Sequence, residues 1–127
     1  MTAYGFLAVG IGGALGCWSR WLLGIALNPL FSSMLLGTLA ANLIGGFLIG
    51  VAIEYFTHHD SLPPELRLFV IVGFLGGLTT FSSFSAEAVE LMADRELGWA
   101  FTMVATHLMG SLAMTWLGIL TMRSLHV

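Results

Sequence analysis

The hydrophobic residues of this chain fall into four long runs that are separated by short polar stretches. The runs cover roughly residues 4–27, 35–56, 66–92 and 99–122. Each holds about 20 residues or more, and at about 1.5 Å per residue such a helix crosses a hydrocarbon core about 30 Å thick. The pattern predicts an all-α integral membrane protein with four transmembrane helices.

The polar stretches between the runs are too short to form a soluble domain. Asn28 and Pro29 mark the first turn, because proline ends a helix and disfavours helical geometry in the residue before it. Residues 58–65 and 94–98 form the other two connections. The first run has no basic segment before it and is too long for a signal peptide, so it reads as a span. We expect residues 1–127 to form a single four-span transmembrane domain.

Composition and charge narrow the functional classes. The chain is 57% hydrophobic and 9% charged, whereas soluble domains are typically about 25% charged. Its formal net charge is −3, which argues against nucleic-acid binding because phosphates require clustered cations. The sequence contains no serine-hydrolase, zinc-protease or P-loop motif, so we do not expect an enzyme.

The third run contains an unusual segment, residues 73–85, which is rich in glycine, threonine and serine. Gly76 permits non-helical geometry, and a helix broken near Gly76–Thr80 at mid-membrane would free several carbonyl groups. Non-helical backbone at membrane depth must be buried in protein or line a wet cavity. Freed carbonyl oxygens are good ligands for a hard cation such as Na⁺. The alternative is a glycine kink whose freed groups bond to nearby hydroxyls.

Two aromatic residues follow this break. Phe81 and Phe84 are spaced i, i+3, which places them on one face of a resuming helix. The edge of an aromatic ring carries positive potential, so ring edges here would solvate an anion without trapping it. Ordinary packing of the two rings is the alternative.

The fourth run offers a polar line. His107, Ser111 and Thr115 recur every four residues and therefore share one helix face. Their donors would pass an anion from site to site. Alternatively, the hydroxyls bond to the carbonyl four residues earlier, and His107 is a packed, hydrogen-bonded histidine.

Three further polar residues lie inside the spans, where isolated polar groups are costly. Asn42 is expected to face protein or pore, with an interhelical hydrogen bond as the alternative. Arg20 would draw anions into a vestibule or extend to the interface. Glu87 would accept a proton or gate the pore. Glu54, near a span end, is expected to be solvated.

Charge placement bears on orientation. Arg67 and Arg123 lie toward one side of the membrane, and Arg20 and Arg95 toward the other, so the positive-inside rule gives no preference. Either the chain orients by other cues, or it inserts both ways and pairs antiparallel. Three glycine pairs with GxxxG spacing, at 12–16, 46–50 and 73–77, favour close helix packing within or between chains.

Four motifs together resemble one family. They are Gly-Gly-Leu-Thr-Thr-Phe-Ser-Ser-Phe-Ser-Ala-Glu at 76–87, Gly-x-x-x-Arg at 16–20, Gly-Thr-Leu-Ala-Ala-Asn-Leu-Ile-Gly at 37–45 and Gly-Ser-Leu-Ala-Met-Thr at 110–115. The whole chain resembles the Fluc, or CrcB-type, fluoride channels. Two departures are Ser83, where threonine is frequent, and His107, where some relatives carry a small hydroxyl residue.

The resemblance implies a dual-topology antiparallel homodimer in the bacterial inner membrane, with two pores that let fluoride leave the cytoplasm passively. It also implies a Na⁺ ion at the dimer centre, held by the carbonyls of Gly76 and Thr79. Arg20 would belong to a vestibule. The expected pore and fluoride residues are Asn42, Thr80, Phe81, Ser82, Phe84, Glu87, His107, Ser111 and Thr115.

Two other classes compete with a channel. Small proton-coupled multidrug exporters also form dual-topology dimers of four-span chains, but they need a central acid, and the first span here has none. A non-transporting membrane scaffold subunit would explain the glycines but not the Phe81, Phe84 and hydroxyl pattern.

Overall fold

The computed structural model describes residues 1–126 and contains four helical segments long and apolar enough to cross a membrane. This part of the chain has no β-strand, so the predicted all-α, four-span class is confirmed. The third segment, Pro64–Ala93, consists of two helices. The helices are α1 (Ala3–Leu27), α2 (Leu36–Thr57), α3 (residues 64–78), α4 (Phe81–Ala93) and α5 (Leu97–Leu125).

Local signals in the sequence set the ends of several helices. The side chain of Thr2 caps α1 by accepting a hydrogen bond from the Gly5 amide at 3.0 Å. A 3₁₀ turn with Pro29 follows α1, because the proline ring fixes φ while removing the amide donor. The Asn28 carboxamide then accepts from the Gly37 amide at 2.8 Å. This bond ties the turn to the start of α2.

Between α3 and α4 the backbone is extended for two residues. Thr79 has φ −85° and ψ 155°, and Thr80 has φ −151° and ψ 124°. Before them, Leu68–Leu75 is wound as a π-helix, a geometry that is rare and concentrates at functional sites. The Thr80 hydroxyl accepts from the Ser83 amide at 3.1 Å, so Thr80 acts as the N-cap of α4.

Glycines on α1 and α3 let these two helices pack backbone to backbone. A methyl group built on Gly12 or Gly16 would meet the carbonyl oxygen of Phe69 or Phe74. One built on Gly77 would meet the carbonyl oxygen of Gly13. Two of the GxxxG pairs therefore pack against each other within one chain, which the sequence left undecided.

The third glycine pair packs α2 against α5. A methyl group on Gly50 would overlap the Thr115 carbonyl, and one on Gly46 would lie 3.0 Å from the Ser111 carbonyl. Gly118 on α5 faces the Phe47 carbonyl of α2 in return. Because both sides contribute glycine, the α2–α5 contact is close along much of its length.

One charged residue differs from its prediction. Glu54 was expected to be solvated but is only 9% exposed, and Arg123 Nε lies 3.1 Å from its Oε1. The expectation was wrong because α5 ends beside α2, which brings Arg123 over the carboxylate. A buried carboxylate is tolerated when a cation pairs with it.

We expect Gly16→Ala to lower the free energy of unfolding by about 1–3 kcal/mol, because its methyl group overlaps the Phe74 carbonyl and the two backbones must move apart. Thermal unfolding in detergent measures this. Gly10→Ala and Gly98→Ala are matched controls, since a methyl group meets nothing within 4 Å at either position. Equal melting temperatures for all three variants would contradict the packing role of Gly16.

Candidate functional site

The Asn42 carboxamide binds both backbone groups of Thr80. Asn42 Oδ1 accepts from the Thr80 amide at 2.8 Å, and Asn42 Nδ2 donates to the Thr80 carbonyl at 3.0 Å. The pair of bonds resembles one rung of a β-ladder, with the side chain in place of a second strand. Asn42 is buried on α2. It therefore holds the extended residue of the third segment against the middle of the bundle.

This pairing redirects the amides that a continuous helix would use. In an α-helix the Thr80 amide would bond to the Gly76 carbonyl, and the Ser83 amide would bond to the Thr79 carbonyl. Here the Thr80 amide donates to Asn42, and the Ser83 amide donates to the Thr80 hydroxyl. The carbonyls of Gly76 and Thr79 are thus released from their helical partners. These are the two positions at which the resemblance to the Fluc channels implies cation ligands.

Arg20 lies beside the same turn. Its Nε donates to the Gly77 carbonyl at 3.1 Å, the third carbonyl at the end of α3 whose helical partner is displaced. Arg20 also lines a second cavity of about 480 Å³ between α1 and α2. One guanidinium nitrogen therefore bonds to the backbone, and the side chain also forms part of the wall of that cavity.

The first turn of α4 carries the aromatic pair. The rings of Phe81 and Phe84 have centroids 5.4 Å apart and planes inclined at 57°. Phe81 is 79% exposed, although it follows the extended residues directly. A large apolar side chain in this position is available to lipid, to a partner or to a ligand in the adjacent cavity.

His107 connects α5 to this cluster. Its Nδ1 lies 3.1 Å from Asn42 Nδ2, and its ring centroid lies 5.0 Å from that of Phe84. The side chain is only 3% exposed, and within residues 1–126 its Nε2 has neither accessible surface nor a hydrogen-bond partner. A buried donor or acceptor without a partner costs about 1–3 kcal/mol, so this atom requires an explanation.

The polar line on α5 continues away from His107. Ser111 and Thr115 follow at helical spacing, and the Thr115 hydroxyl donates to the Ser111 carbonyl at 2.9 Å. The alternative considered for this line, a bond to the carbonyl four residues earlier, therefore holds for Thr115. Thr115 helps to line the cavity, but its hydroxyl proton is used within α5.

These side chains meet around one open cavity of about 420 Å³. Helices α2, α3, α4 and α5 all contribute to its wall. Of the predicted site residues, Ser82, Glu87 and Arg20 do not line it. Those that do are Asn42, Gly76, Thr79, Thr80, Phe81, Phe84, His107, Ser111 and Thr115.

Sequence reasoning missed part of the wall. Gly45 and Gly46 line the cavity on α2, and Leu108 and Leu112 line it on α5. A methyl group on Gly45 would overlap Thr79 Cγ2, so this glycine allows α2 to approach the extended residues. The spacing from Asn42 could have predicted these two glycines, since Gly45 and Gly46 lie three and four residues after Asn42 and share its helix face.

Glu87 lies behind the cavity and holds α4 to α2. Its Oε1 accepts from the Leu35 amide at 2.7 Å, just before the first turn of α2, and the side chain is 6% exposed. A carboxylate at a helix N-terminus satisfies a free amide and interacts favourably with the helix dipole. The structure thus places Glu87 as a capping group between two helices.

A family model with the description CrcB-like protein, Camphor Resistance (CrcB), matches residues 7–119. The chain belongs to this CrcB family. A relative from Nitrosospira multiformis, named fluoride-specific ion channel FluC, is 59% identical over 123 residues, which cover 97% of this chain and 96% of the relative.

Two further relatives carry the same name. One from Dechloromonas aromatica is 53% identical over 95% of this chain and 90% of its own length. Another from Pseudomonas aeruginosa is 55% identical, with 91% of each chain covered. Membership of this family and the four apolar helices identify a multi-pass bacterial membrane protein.

We expect Glu87→Ala to lower the free energy of unfolding by about 1–3 kcal/mol, because it leaves the Leu35 amide without its acceptor. Glu87→Gln should lower the free energy of unfolding less, since the glutamine side-chain oxygen can still accept from the Leu35 amide. Thermal unfolding of detergent-solubilised protein separates the two. Glu90→Ala, on the exposed face of the same helix, is the control. Identical unfolding of Glu87→Ala and Glu90→Ala would rule out the capping role.

Proposed function

We propose that this CrcB-family protein is a passive, fluoride-selective ion channel that lets F⁻ leave the cytoplasm, and that it is not an enzyme. One observation carries the proposal. The extended residues Thr79 and Thr80 open a cavity in which hydroxyl, carboxamide and imidazole groups and two phenylalanine rings line one wall. The name of the relatives, fluoride-specific ion channel, agrees with this chemistry.

The hydrogen-bond donors and ring edges of the cavity wall suit an anion that is hard to dehydrate. An ion that leaves water needs close donors in its place. The His107 imidazole and the Ser111 hydroxyl on α5 can supply them, whereas the Thr79 and Thr115 hydroxyls already donate to backbone carbonyls. The rings of Phe81 and Phe84 are close enough for both to present edges to one ion. Ring edges carry only partial positive charge. An anion is therefore stabilised along the wall without an ionised side chain that would hold it.

The driving force needs no nucleotide. Hydrogen fluoride crosses membranes as a neutral weak acid and dissociates inside the cell at higher pH. A unit charge that moves through 100 mV releases about 2.3 kcal/mol, and an interior-negative potential therefore expels F⁻. Since each step is passive, the residues need to bind and release the ion but not to change a covalent bond.

We further propose that two copies pair antiparallel and form two pores. The cavity is open on one side, and the exposed rings and side chains at its rim, among them Phe81, Leu108 and Leu112, are suited to contact a second copy. The even division of arginines between the two membrane sides supports insertion in both orientations. The extended residues of each chain would then lie near mid-membrane at the dimer centre.

A structural Na⁺ ion fits the end of α3. Gly76 and Thr79 each present a carbonyl oxygen whose helical amide partner is bound elsewhere, and hard cations prefer such oxygen ligands. Two antiparallel copies would supply two carbonyls each. The ion would contribute positive charge that holds four backbone dipoles together. The Thr79 hydroxyl donates to the Leu75 carbonyl at 2.8 Å, so its proton points away from the cation.

A proton-coupled exporter would need a free central acid. Of the two buried acids, Glu54 pairs with Arg123, and Glu87 accepts from the Leu35 amide through Oε1. The Oε2 atom of Glu87 has no partner in the described chain, but Glu87 does not line the cavity. Ion efflux from liposomes decides between the classes. Protein in vesicles loaded with potassium fluoride or potassium chloride should release fluoride rapidly after valinomycin and retain chloride. Proton-dependent efflux of organic cations would support the exporter, and absence of both fluxes would support a scaffold.

We expect Phe81→Ile and Phe84→Ile each to lower the fluoride flux about tenfold, because isoleucine has no ring edge to present to the anion. A tenfold change corresponds to about 1.4 kcal/mol. The same liposome assay measures this. Phe101→Ile is the matched control, because Phe101 is 75% exposed on α5 and does not line the cavity. Normal flux in both test variants would exclude the rings from the conduction path.

We expect replacement of K⁺ by Na⁺ at constant ionic strength to raise the melting temperature, because a ligand at about 100 times its Kd stabilises by about 2.7 kcal/mol. Asn42→Ala should abolish this increment, since the Thr80 amide becomes free to bond to the Gly76 carbonyl. Gly76→Ala should retain it, because its methyl group has room, with the nearest atom at 3.8 Å. An unchanged sodium increment in Asn42→Ala would remove the carbonyl assignment.

A further inference from the structure

The orientation of the Asn42 carboxamide is fixed by two bonds to one residue. Its Oδ1 faces the Thr80 amide at 2.8 Å and its Nδ2 faces the Thr80 carbonyl at 3.0 Å. Exchange of the oxygen and nitrogen positions would set donor against donor and acceptor against acceptor. The NH₂ group of Asn42 can therefore only lie on the side of His107.

This orientation determines which nitrogen of His107 carries the proton. Asn42 Nδ2 has two hydrogens, and the Thr80 carbonyl takes one of them. The second points toward His107 Nδ1, which lies 3.1 Å from Nδ2. Because the Asn42 group is a donor, Nδ1 has to be the acceptor, and a neutral imidazole then carries its proton on Nε2.

The Nε2 atom is thus a donor that no protein group satisfies. It has no accessible surface and no hydrogen-bond partner in the described chain, although His107 belongs to the cavity wall. The ring of Phe84 packs on the imidazole with centroids 5.0 Å apart. Because Nε2 has no accessible surface, an acceptor can reach it only after a neighbouring side chain moves. The acceptor must also lose its hydration shell.

We propose that Asn42 is a positioning residue that holds His107 as the Nε2–H tautomer, and that this N–H binds the dehydrated anion in the cavity. The inference rests on the proposed fluoride function and deepens it. A neutral N–H donates a hydrogen bond to F⁻ and offers a cation no ligand. Phe84 lies against the same imidazole, so one anion can contact the N–H and the ring edge together.

The locked tautomer also opposes a charged imidazole. Protonation of Nδ1 would place an N–H against the NH₂ of Asn42, and relief by rotation of the carboxamide would break both bonds to Thr80. The imidazole is therefore held neutral by a contact on its far side. A neutral donor binds an anion more weakly than an imidazolium does, which allows the ion to leave.

Side-chain ¹⁵N NMR of the full-length protein in detergent, with labelled histidine, tests the assignment. His107→Gln identifies the His107 signals by their loss, and His126→Gln, an exposed position near the chain end, serves as a control. We expect His107 to show a protonated Nε2 and an unprotonated Nδ1. Titration with sodium fluoride should shift the Nε2 signal, and sodium chloride should not.

Asn42→Asp provides the sharpest comparison. A carboxylate can still accept from the Thr80 amide, but toward His107 it presents an oxygen in place of an NH₂ group. His107 Nδ1 should therefore become protonated, which the wild-type protein must not show if the Asn42 NH₂ group holds Nδ1 as an acceptor. A simple loss of packing would not by itself protonate Nδ1, so this readout separates positioning from general structural support.

Flux distinguishes this inference from the function on which it rests. His107→Leu should lower fluoride flux about tenfold, whereas His107→Gln, which keeps an N–H donor, should retain most of it. If the wild-type protein conducts fluoride but Nε2 is unprotonated or indifferent to fluoride, the inference is wrong and the proposed function stands. If the wild-type protein conducts no fluoride, the proposed function fails, and the anion-binding role of His107 fails with it.

Discussion

The two hydrogen bonds between the Asn42 side chain and the Thr80 backbone are the interaction on which the functional region depends. An unpaired peptide group in hydrocarbon costs several kcal/mol, so residues cannot leave helical geometry inside a membrane unless other groups satisfy them. Asn42 satisfies the amide and the carbonyl of Thr80 at once. The Asn42 side chain thus takes the place of the backbone partners that Thr80 would have in a helix. The freed carbonyls, the start of α4 and the cavity all follow from this replacement.

Glycine makes this interaction sterically possible. Asn42 is a short side chain, so α2 has to come close to the extended residues, and Gly45 one turn later leaves room for Thr79. Glycines in the same way let α3 pack on α1 and α5 pack on α2, where they face carbonyl oxygens directly. Helix α4 contains no glycine and is held by Glu87 on the Leu35 amide and by the packing of Ala88 against Met34 and Met103. The rigid parts of the bundle thus surround the segment that carries the aromatic pair.

The sequence predicted the helices of this fold better than the contacts between residues of different helices. Hydropathy located four spans, and the period of the helix correctly placed His107, Ser111 and Thr115 on one face toward one cavity. It could not predict that Asn42 bonds to Thr80 or that Glu87 bonds to Leu35. Periodicity determines the face of a residue within its own helix, but the rotation of one helix against another depends on packing between residues distant in sequence. The error at Glu54 has this origin, since only the position of α5 places Arg123 beside it.

The positions of the ionised side chains, which lie away from the cavity wall, explain why such a cavity can conduct an ion. In a medium of low dielectric constant, two unit charges interact far more strongly than in water, and an ionised side chain in the wall would hold or repel F⁻. Within the described part of the chain, no arginine, aspartate or glutamate lines the cavity. Arg20 is turned to the Gly77 carbonyl and Glu87 to the Leu35 amide. The groups of the wall that can act as donors to an anion are the neutral His107 imidazole, the Ser111 hydroxyl and the ring edges. Their weaker attraction replaces hydration without preventing release.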